Sequence, residues 1–354
     1  MSTMSRSFGR SDLANGAHRD VAVWLLACCF MVAVMVLLGG LTRLTHSGLS
    51  MVEWEPIRGI IPPLGDSDWQ LFFEKYKQSP EYIKVNAGMS LAEFRGIFWL
   101  EYIHRVWGRL IGVVFGLPFL WLALSGRIGR AMVPRLAGVF LLGAAQGGMG
   151  WFMVKSGLVD NPAVSHYRLT AHLALAFLIH GWMFWLALDI LADHRPIRRR
   201  VAGETAGIRS WLFVLTGLVI LTLLFGGLVA GLKAGLIYNT WPLMDGALIP
   251  KDLFPDGFHS LFEDIKTVQF GHRTLAELTV VVALLGWFRA RARLGGQTPA
   301  AIHALGLMAL VQVGLGIGTL VMVVPVWLAS AHQMGAMALL TLCLWALHDL
   351  DRRL

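Results

Sequence analysis

The sequence predicts an all-α integral membrane protein, with eight transmembrane helices arranged as two tandem four-helix bundles related by a pseudo-twofold axis. Three observations carry this. The 354 residues are 56% hydrophobic and 15% charged, against about 25% charged in an average soluble domain, and mean hydropathy is +0.62. The apolar residues gather in eight runs, each near the roughly 20 residues that a helix needs to cross a bilayer. The second half of the chain repeats the first. Such a composition excludes a soluble enzyme, a disordered chain and a small disulfide scaffold.

The runs cover about 21–40, 97–124, 133–154, 168–190, 210–231, 267–288, 301–323 and 326–347. The first is too long for a signal-peptide core and no small-residue cleavage site follows, so it reads as a retained helix. Arg127, Arg130 and Arg135 fill one short connection; Arg195, Arg198, Arg199, Arg200 and Arg209 fill a second; Arg289, Arg291 and Arg293 fill a third. With Arg6, Arg10, Arg19, Arg352 and Arg353 they place 16 of the 30 basic residues on one side. Short Arg-rich loops stay in the cytoplasm, which puts both termini there. The net charge of +8 is therefore an orientation signal, and no nucleic-acid partner is implied. The other side carries two long loops, about 41–96 and 232–266. In the first, Trp69, Leu71, Phe72, Phe73 and Tyr76 stand among charges. They read as an amphipathic helix, either on the membrane surface or packed on the protein.

The domain division that follows is a cytoplasmic tail over 1–20, a half over 21–192, an Arg-rich linker over 193–209, a second half over 210–348 and a tail over 349–354. Residues 39–63 and 226–250 share Gly39/Gly226, Gly40/Gly227, Leu41/Leu228, Gly48/Gly235, Leu49/Leu236, Trp54/Trp241, Gly59/Gly246 and Pro63/Pro250 without a gap. "IHRVWGR" at 103–109 faces "GHRTLAE" at 271–277, and "LTAHLALA" at 169–176 faces "ASAHQMGA" at 329–336. Four spans per repeat is an even number, so the halves share one orientation and the axis runs along the membrane normal.

On this map His104, His172, His272 and His332 fall on the second, fourth, sixth and eighth spans. Each lies about four to eight residues from the outer end, a depth of roughly 6–12 Å. Ionisable groups inside a membrane are costly, face the bundle interior and mark function. Two opposed histidines per half fit a haem best: imidazoles ligate the iron axially and apolar helices bury the macrocycle. A structural zinc would want four close ligands, and no thiolate is near; helix-to-helix hydrogen bonding is the bland alternative. His18, His46, His166, His180, His194, His259, His303 and His348 read as solvated or snorkelling side chains. Cys28, Cys29 and Cys343 lie in apolar runs and suggest neither a disulfide nor a metal site.

Glu101 lies three residues before His104, and Gln269 takes its place before His272. A carboxyl exchanges protons and an amide does not, so the first half reads as the working one. Glu101 can also ion-pair with Arg105 or Arg109, and the two roles are compatible. Arg105 and Arg273, each following a histidine, suit haem propionates through charge-assisted bonds. The glycine-rich "GAAQGGMG" (143–150) and "QVGLGIGTL" (312–320) read as close helix packing, not as a nucleotide fingerprint.

These segments give the chain a resemblance to the haem A synthase family over about residues 21–348. It rests on "GGLTRLTHSGLSMVEWEPIRGIIPP", "EYIHRVWGRLIG", "TAHLALA", "YNTWPLMDG", "QFGHRTLAE" and "SAHQMGAM". The resemblance implies an eight-helix enzyme that oxidises the carbon-8 methyl of haem O to the formyl group of haem A, by successive hydroxylations and loss of water. It implies haem ligation by His104, His172, His272 and His332, an essential carboxylate at Glu101, substrate haem in the N-terminal half and haem b in the C-terminal half. Some members carry a cysteine pair in the first outer loop. This chain has none there and resembles the subgroup without it, typical of alphaproteobacterial and mitochondrial relatives. With no mitochondrial presequence in view, a bacterial inner membrane is expected. An external electron donor, a haem O synthase and a second copy of the chain are the expected partners. The alternative is a di-haem b electron-transfer protein, which stacks two haems between one helix pair and needs histidines about 13–14 residues apart on one helix; His172 and His180 are too close. A transporter, the other rival, would want a midplane site and broken helices.

Overall fold

A computed structural model describes residues 17–53, 58–159, 162, 164–192 and 202–351. The expected tail as far as residue 16, Trp54 of the repeat, residues 193–201 of the linker, and Arg352 and Arg353 lie outside them. Regular structure among the described residues is helical apart from an isolated bridge between Met244 and Ala247. The helices are α1 (Ala17–Leu44), α2 (Asp66–Lys77), α3 (Pro80–Lys84), α4 (Leu91–Leu124), α5 (Met132–Gly157), α6 (His166–Ala192), α7 (Ala202–Gly231), α8 (Ser260–Glu263), α9 (Ile265–Leu294), α10 (Ala300–Val321) and α11 (Val326–Asp351). Seven of them, α1, α4, α5, α6, α7, α10 and α11, are long and apolar enough to cross a membrane. The chain is thus a multi-pass membrane protein. The remaining expected span falls in α9, a 30-residue helix not among the seven; His272, Arg273 and Glu277 interrupt its apolar surface.

Local chemistry sets the helix ends. α4 starts at Leu91, six residues before the expected span, because Ser90 and Glu93 form a reciprocal cap: the Glu93 amide donates to Ser90 Oγ, and the Ser90 amide donates to Glu93 Oε2 at 2.8 Å. Asp264 caps α9 by accepting from the Thr267 amide at 2.8 Å. The extra turns of α4 carry Phe94 and Phe98 into a buried aromatic cluster with Met51, Trp69, Phe73 and Tyr76. Trp69 meets Phe98 edge-on at 5.1 Å and Tyr76 stacks on Phe94 at 5.1 Å. Of the two readings for the 66–77 helix, the one packed on the protein is therefore observed, with Leu71 left exposed on its other face.

α1 packs on α4 and α6, and α5 packs on the same two helices. α7 packs on α9 and α11, and α10 packs on those two. Each group of four closes on itself, and the groups meet through α1 with α11, α6 with α7, and α6 with α11. An apolar core that includes Leu25, Val32, Met183, Leu215 and Leu340 runs across this seam.

Two polar features interrupt the core, and both correct the sequence reading. His180 is buried, not solvated: its Nε2 lies 2.9 Å from Thr341 Oγ1 and its Nδ1 lies 3.3 Å from the Cys29 carbonyl, tying α6 to α11 and α1. His348 is likewise buried, with Nε2 3.0 Å from Asp189 Oδ1. A neutral imidazole offers one donor and one acceptor, so such sites are satisfied without exposure.

Candidate functional site

His172 lies six residues past the start of α6, His272 seven past the start of α9, and His332 six past the start of α11. These three therefore share a register of six or seven residues from the start of their helices. His104 lies thirteen residues past the start of α4, because α4 projects into the aromatic cap. The histidines come as pairs. The rings of His272 and His332 stand with centroids 6.4 Å apart and planes at 89°. His104 and His172 hold the repeat-equivalent positions in the first half. A metal–imidazole bond is about 2 Å, so two axial rings on one iron hold their centroids roughly 6 Å apart. The C-terminal pair meets this requirement.

Each of the four imidazoles is backed by a glycine on a neighbouring helix. A methyl carbon placed on Gly39 would lie 3.3 Å from His104 Nε2; on Gly150, 3.3 Å from His172 Cε1; on Gly226, 3.2 Å from His272 Cε1; on Gly316, 2.9 Å from His332 Cε1. Gly39 and Gly226 are repeat-equivalent. Their neighbours Gly40 and Gly227 serve the seam: a methyl there would meet Gln333 Oε1 at 2.5 Å or Thr170 Oγ1 at 2.8 Å. Each Gly-Gly pair thus seats one histidine of its own half and admits the last helix of the other half. This refines the packing expectation for the glycine-rich runs. Gly143, Gly147, Gly148 and Gly314 have open space beside them, and the tight positions, Gly150 and Gly316, give room to imidazoles.

The surroundings of the rings fix them further. His272 Nδ1 lies 3.0 Å from the Thr222 carbonyl, so it carries the hydrogen and leaves the lone pair of Nε2 open to a metal. Gln146 Nε2 donates to the His172 carbonyl at 3.1 Å, and Gln312 Nε2 donates to the His332 carbonyl at 3.0 Å. Sequence reasoning passed over both glutamines; the signal was there as Gln-x-x-x-Gly, repeated at Gln146–Gly150 and Gln312–Gly316.

Glu101 is buried and paired to Arg105, with Oε1 at 2.5 Å from the guanidinium. Its Oε2 accepts from Ser50 Oγ at 2.7 Å and from the Met51 amide at 2.8 Å. Gln269 is equally buried, but its Nε2 donates to the carbonyls of Ala234 and Ile237, at 3.0 and 2.6 Å. Ser50 and Ile237 are in register in the repeat, so the same turn supplies donors in one half and acceptors in the other. Arg105 donates to the carbonyls of Met51 and Glu53, and Arg273 to those of Tyr238 and Thr240, again in register. Both arginines therefore pin the segment that follows the first helix of their half.

Next to this segment the buried Glu81 approaches Tyr76 Oη at 3.4 Å, and Asn86 donates to that oxygen at 2.8 Å. Burial first, then the charge of Glu101, pushes the Glu81 carboxyl up to about 8.

Comparison with known proteins identifies the family. The family model described as "COX15-CtaA: Cytochrome oxidase assembly protein" matches residues 22–344. A protein of Paramagnetospirillum magneticum named "Heme A synthase" is 92% identical over 354 residues, covering 100% of both chains. Proteins of the same name from Nitrosospira multiformis and Rhodospirillum centenum are 49% identical over 347 residues (97% of each chain) and 48% identical over 336 residues (94% of this chain, 88% of the other). The chain belongs to the COX15-CtaA family of cytochrome oxidase assembly proteins.

Proposed function

We propose that the N-terminal half holds haem O between His104 and His172, that the C-terminal half holds haem b between His272 and His332, and that Glu101 serves the oxidation of the substrate methyl. The chain is a haem A synthase, an oxidoreductase that converts haem O to haem A, by its full-length identity of 92% to a protein of that name. The observation that supports the division of labour is the contrast between Glu101 and Gln269. The two halves share histidine pairs, glycine seats and arginine pins, and the first half carries a carboxyl, able to exchange a proton, where the second carries an amide.

Haem b, when bound, supplies a one-electron carrier, fed by an external donor. The chain's own groups do the rest. Ser50, the Met51 amide and Arg105 orient the Glu101 carboxylate and hold its charge, and that carboxylate would take or return a proton at the substrate. Arg105 and Arg273, which donate to backbone carbonyls and, in Arg105, to Glu101, would offer haem propionates a nearby positive charge.

The closed groups of four helices support two tandem bundles related by a pseudo-twofold axis. α9 serves as the eighth span: 30 residues reach about 45 Å, more than the roughly 30 Å hydrocarbon core. Both termini then face the cytoplasm of a bacterial inner membrane, and the chain falls in the subgroup without the loop cysteine pair. A haem O synthase and a second copy of the chain are partners consistent with this setting.

The test is Glu101→Gln in the full-length protein, with haems extracted and separated by chromatography. The expected result is at least a tenfold fall in haem A with haem b retained; undiminished haem A overturns the role of Glu101. His104→Ala should lose haem O and keep haem b, and retention of haem O would overturn the assignment of the halves.

A further inference from the structure

Resting on that assignment of substrate to the N-terminal half, we propose that Gln146 is a positioning residue that competes with a haem iron for Nε2 of His172, and so keeps the N-terminal haem exchangeable. Gln146 Nε2 donates to the His172 carbonyl at 3.1 Å and lies 3.3 Å from Nε2 of the same residue's ring. A carbonyl accepts only, so the first contact fixes which end of the amide is the NH2 group. The second N–H of that group then faces the ring nitrogen, which must accept it. The lone pair that Gln146 engages is the one an iron would take, and the other ring nitrogen, Nδ1, is buried without a partner.

The second half is built differently at the equivalent place. Gln312 makes the matching bond to the His332 carbonyl, and no bond from it to the His332 ring is found among the described residues. Its partner His272 is preset for a metal by the Thr222 carbonyl on Nδ1. A haem entering the C-terminal half meets a ligand already turned towards it. A haem entering the N-terminal half must first displace an amide, and a haem leaving it is replaced by one. A half that retains its haem needs the first arrangement. A half that takes in haem O and gives up haem A needs the second.

The displaced bond is a neutral one, worth about five- to tenfold in binding. The experiment uses full-length protein in detergent with Gln146→Leu and, in parallel, Gln312→Leu. Haem O affinity is measured by titration, and haem release by transfer to excess apomyoglobin. Gln146→Leu should bind haem O about five- to tenfold more tightly and release it correspondingly more slowly, with haem b content as in the wild type. Gln312→Leu should leave haem O affinity unchanged. Haem O affinity equal to or weaker than wild type in a Gln146→Leu protein with full haem b overturns the proposal. Should that variant lose haem b through misfolding, Gln146→Met, equally long and without a donor, is read in its place. His172→Ala separates the two levels. If it binds haem O normally, the substrate assignment fails. If it does not, and Gln146→Leu is unchanged, the latch alone fails.

Discussion

Gly316→Ala tests the imidazole seat of His332, at the proposed haem b site, apart from the other contributions to that site. Gly316 lies inside α10 in helical conformation, so alanine there gains about 1 kcal/mol of helix propensity. Folding of the helix is not what the change attacks. The new methyl carbon would lie 2.9 Å from His332 Cε1, against an optimal carbon–carbon separation of about 3.5–4.0 Å. The ring must give way by roughly 0.6–1 Å. Gln312 holds the His332 carbonyl, so the movement falls on the ring rather than on α11. Metal sites tolerate about 0.2 Å in ligand distance, and overpacking of this kind costs about 1–3 kcal/mol, a loss of about 5- to 150-fold in haem b affinity. The assay is haem b per protein, from reduced-minus-oxidised difference spectra of purified protein. Gly318→Ala is the control, since its nearest neighbour is Leu328 Cδ1 at an ordinary 3.7 Å. Gly226→Ala, at 3.2 Å, should be milder than Gly316→Ala. Full haem b and an unshifted spectrum in Gly316→Ala would refute the reasoning.

Two further changes test the outer cap and the seam. Glu81, pushed up to about 8 from the usual value near 4.5 by burial and by Glu101, holds its proton more firmly in the folded than in the unfolded chain. Stability should therefore fall as pH rises from 4.5 through 8. Glu81→Gln should remove much of that slope in thermal unfolding; an unchanged slope would show that Glu81 does not set it. His180→Leu should lower stability by about 1 kcal/mol, because Thr341 and the Cys29 carbonyl each keep a second partner within their own helices. Adding Thr341→Val should then cost less than Thr341→Val alone, and full additivity of the two changes would count against a direct bond.

The helices, the repeat and the four histidines were legible because each leaves a periodic trace: hydropathy at 20-residue scale, identity at fixed offset, ionisable residues in apolar runs. The start of α4 was missed by six residues, although Ser90 and Glu93 spell a cap, because apolar length was given more weight than capping chemistry. The docking of α2 stayed open because an aromatic face looks alike whether it meets lipid or Phe94. The burial of His180 was hidden because its partners, Thr341 and Cys29, are remote in sequence and ordinary in type. The glycine seats were read as packing because a sequence shows that a residue is small, not what fills the space it leaves. Paired by register, however, Gln146–Gly150 and Gln312–Gly316 could have been found.

The contrast between Glu101 and Gln269 extends beyond one side chain, and that has a measurable consequence. In the first half the turn after α1 presents a hydroxyl and an amide hydrogen to the carboxylate, and Arg105 balances its charge. In the second half the matching turn presents two carbonyl oxygens. A carboxylate accepts only, whereas a primary amide both donates and accepts, so the first turn can take either side chain and the second suits only the amide. Gln269→Glu would set a carboxylate against the carbonyls of Ala234 and Ile237 at a site 2% exposed. Arg273, four residues on, could balance the charge as Arg105 balances Glu101, but the two carbonyls would still face an acceptor in place of a donor. Leaving such buried acceptors unpaired costs about 1–3 kcal/mol. The variant should unfold at a lower temperature and should not convert the C-terminal half into a second site of haem O oxidation. Wild-type stability with an ionised carboxylate at 269, seen by infrared difference spectroscopy, would mean that the turn adapts freely and that the difference between the halves lies in the side chain alone.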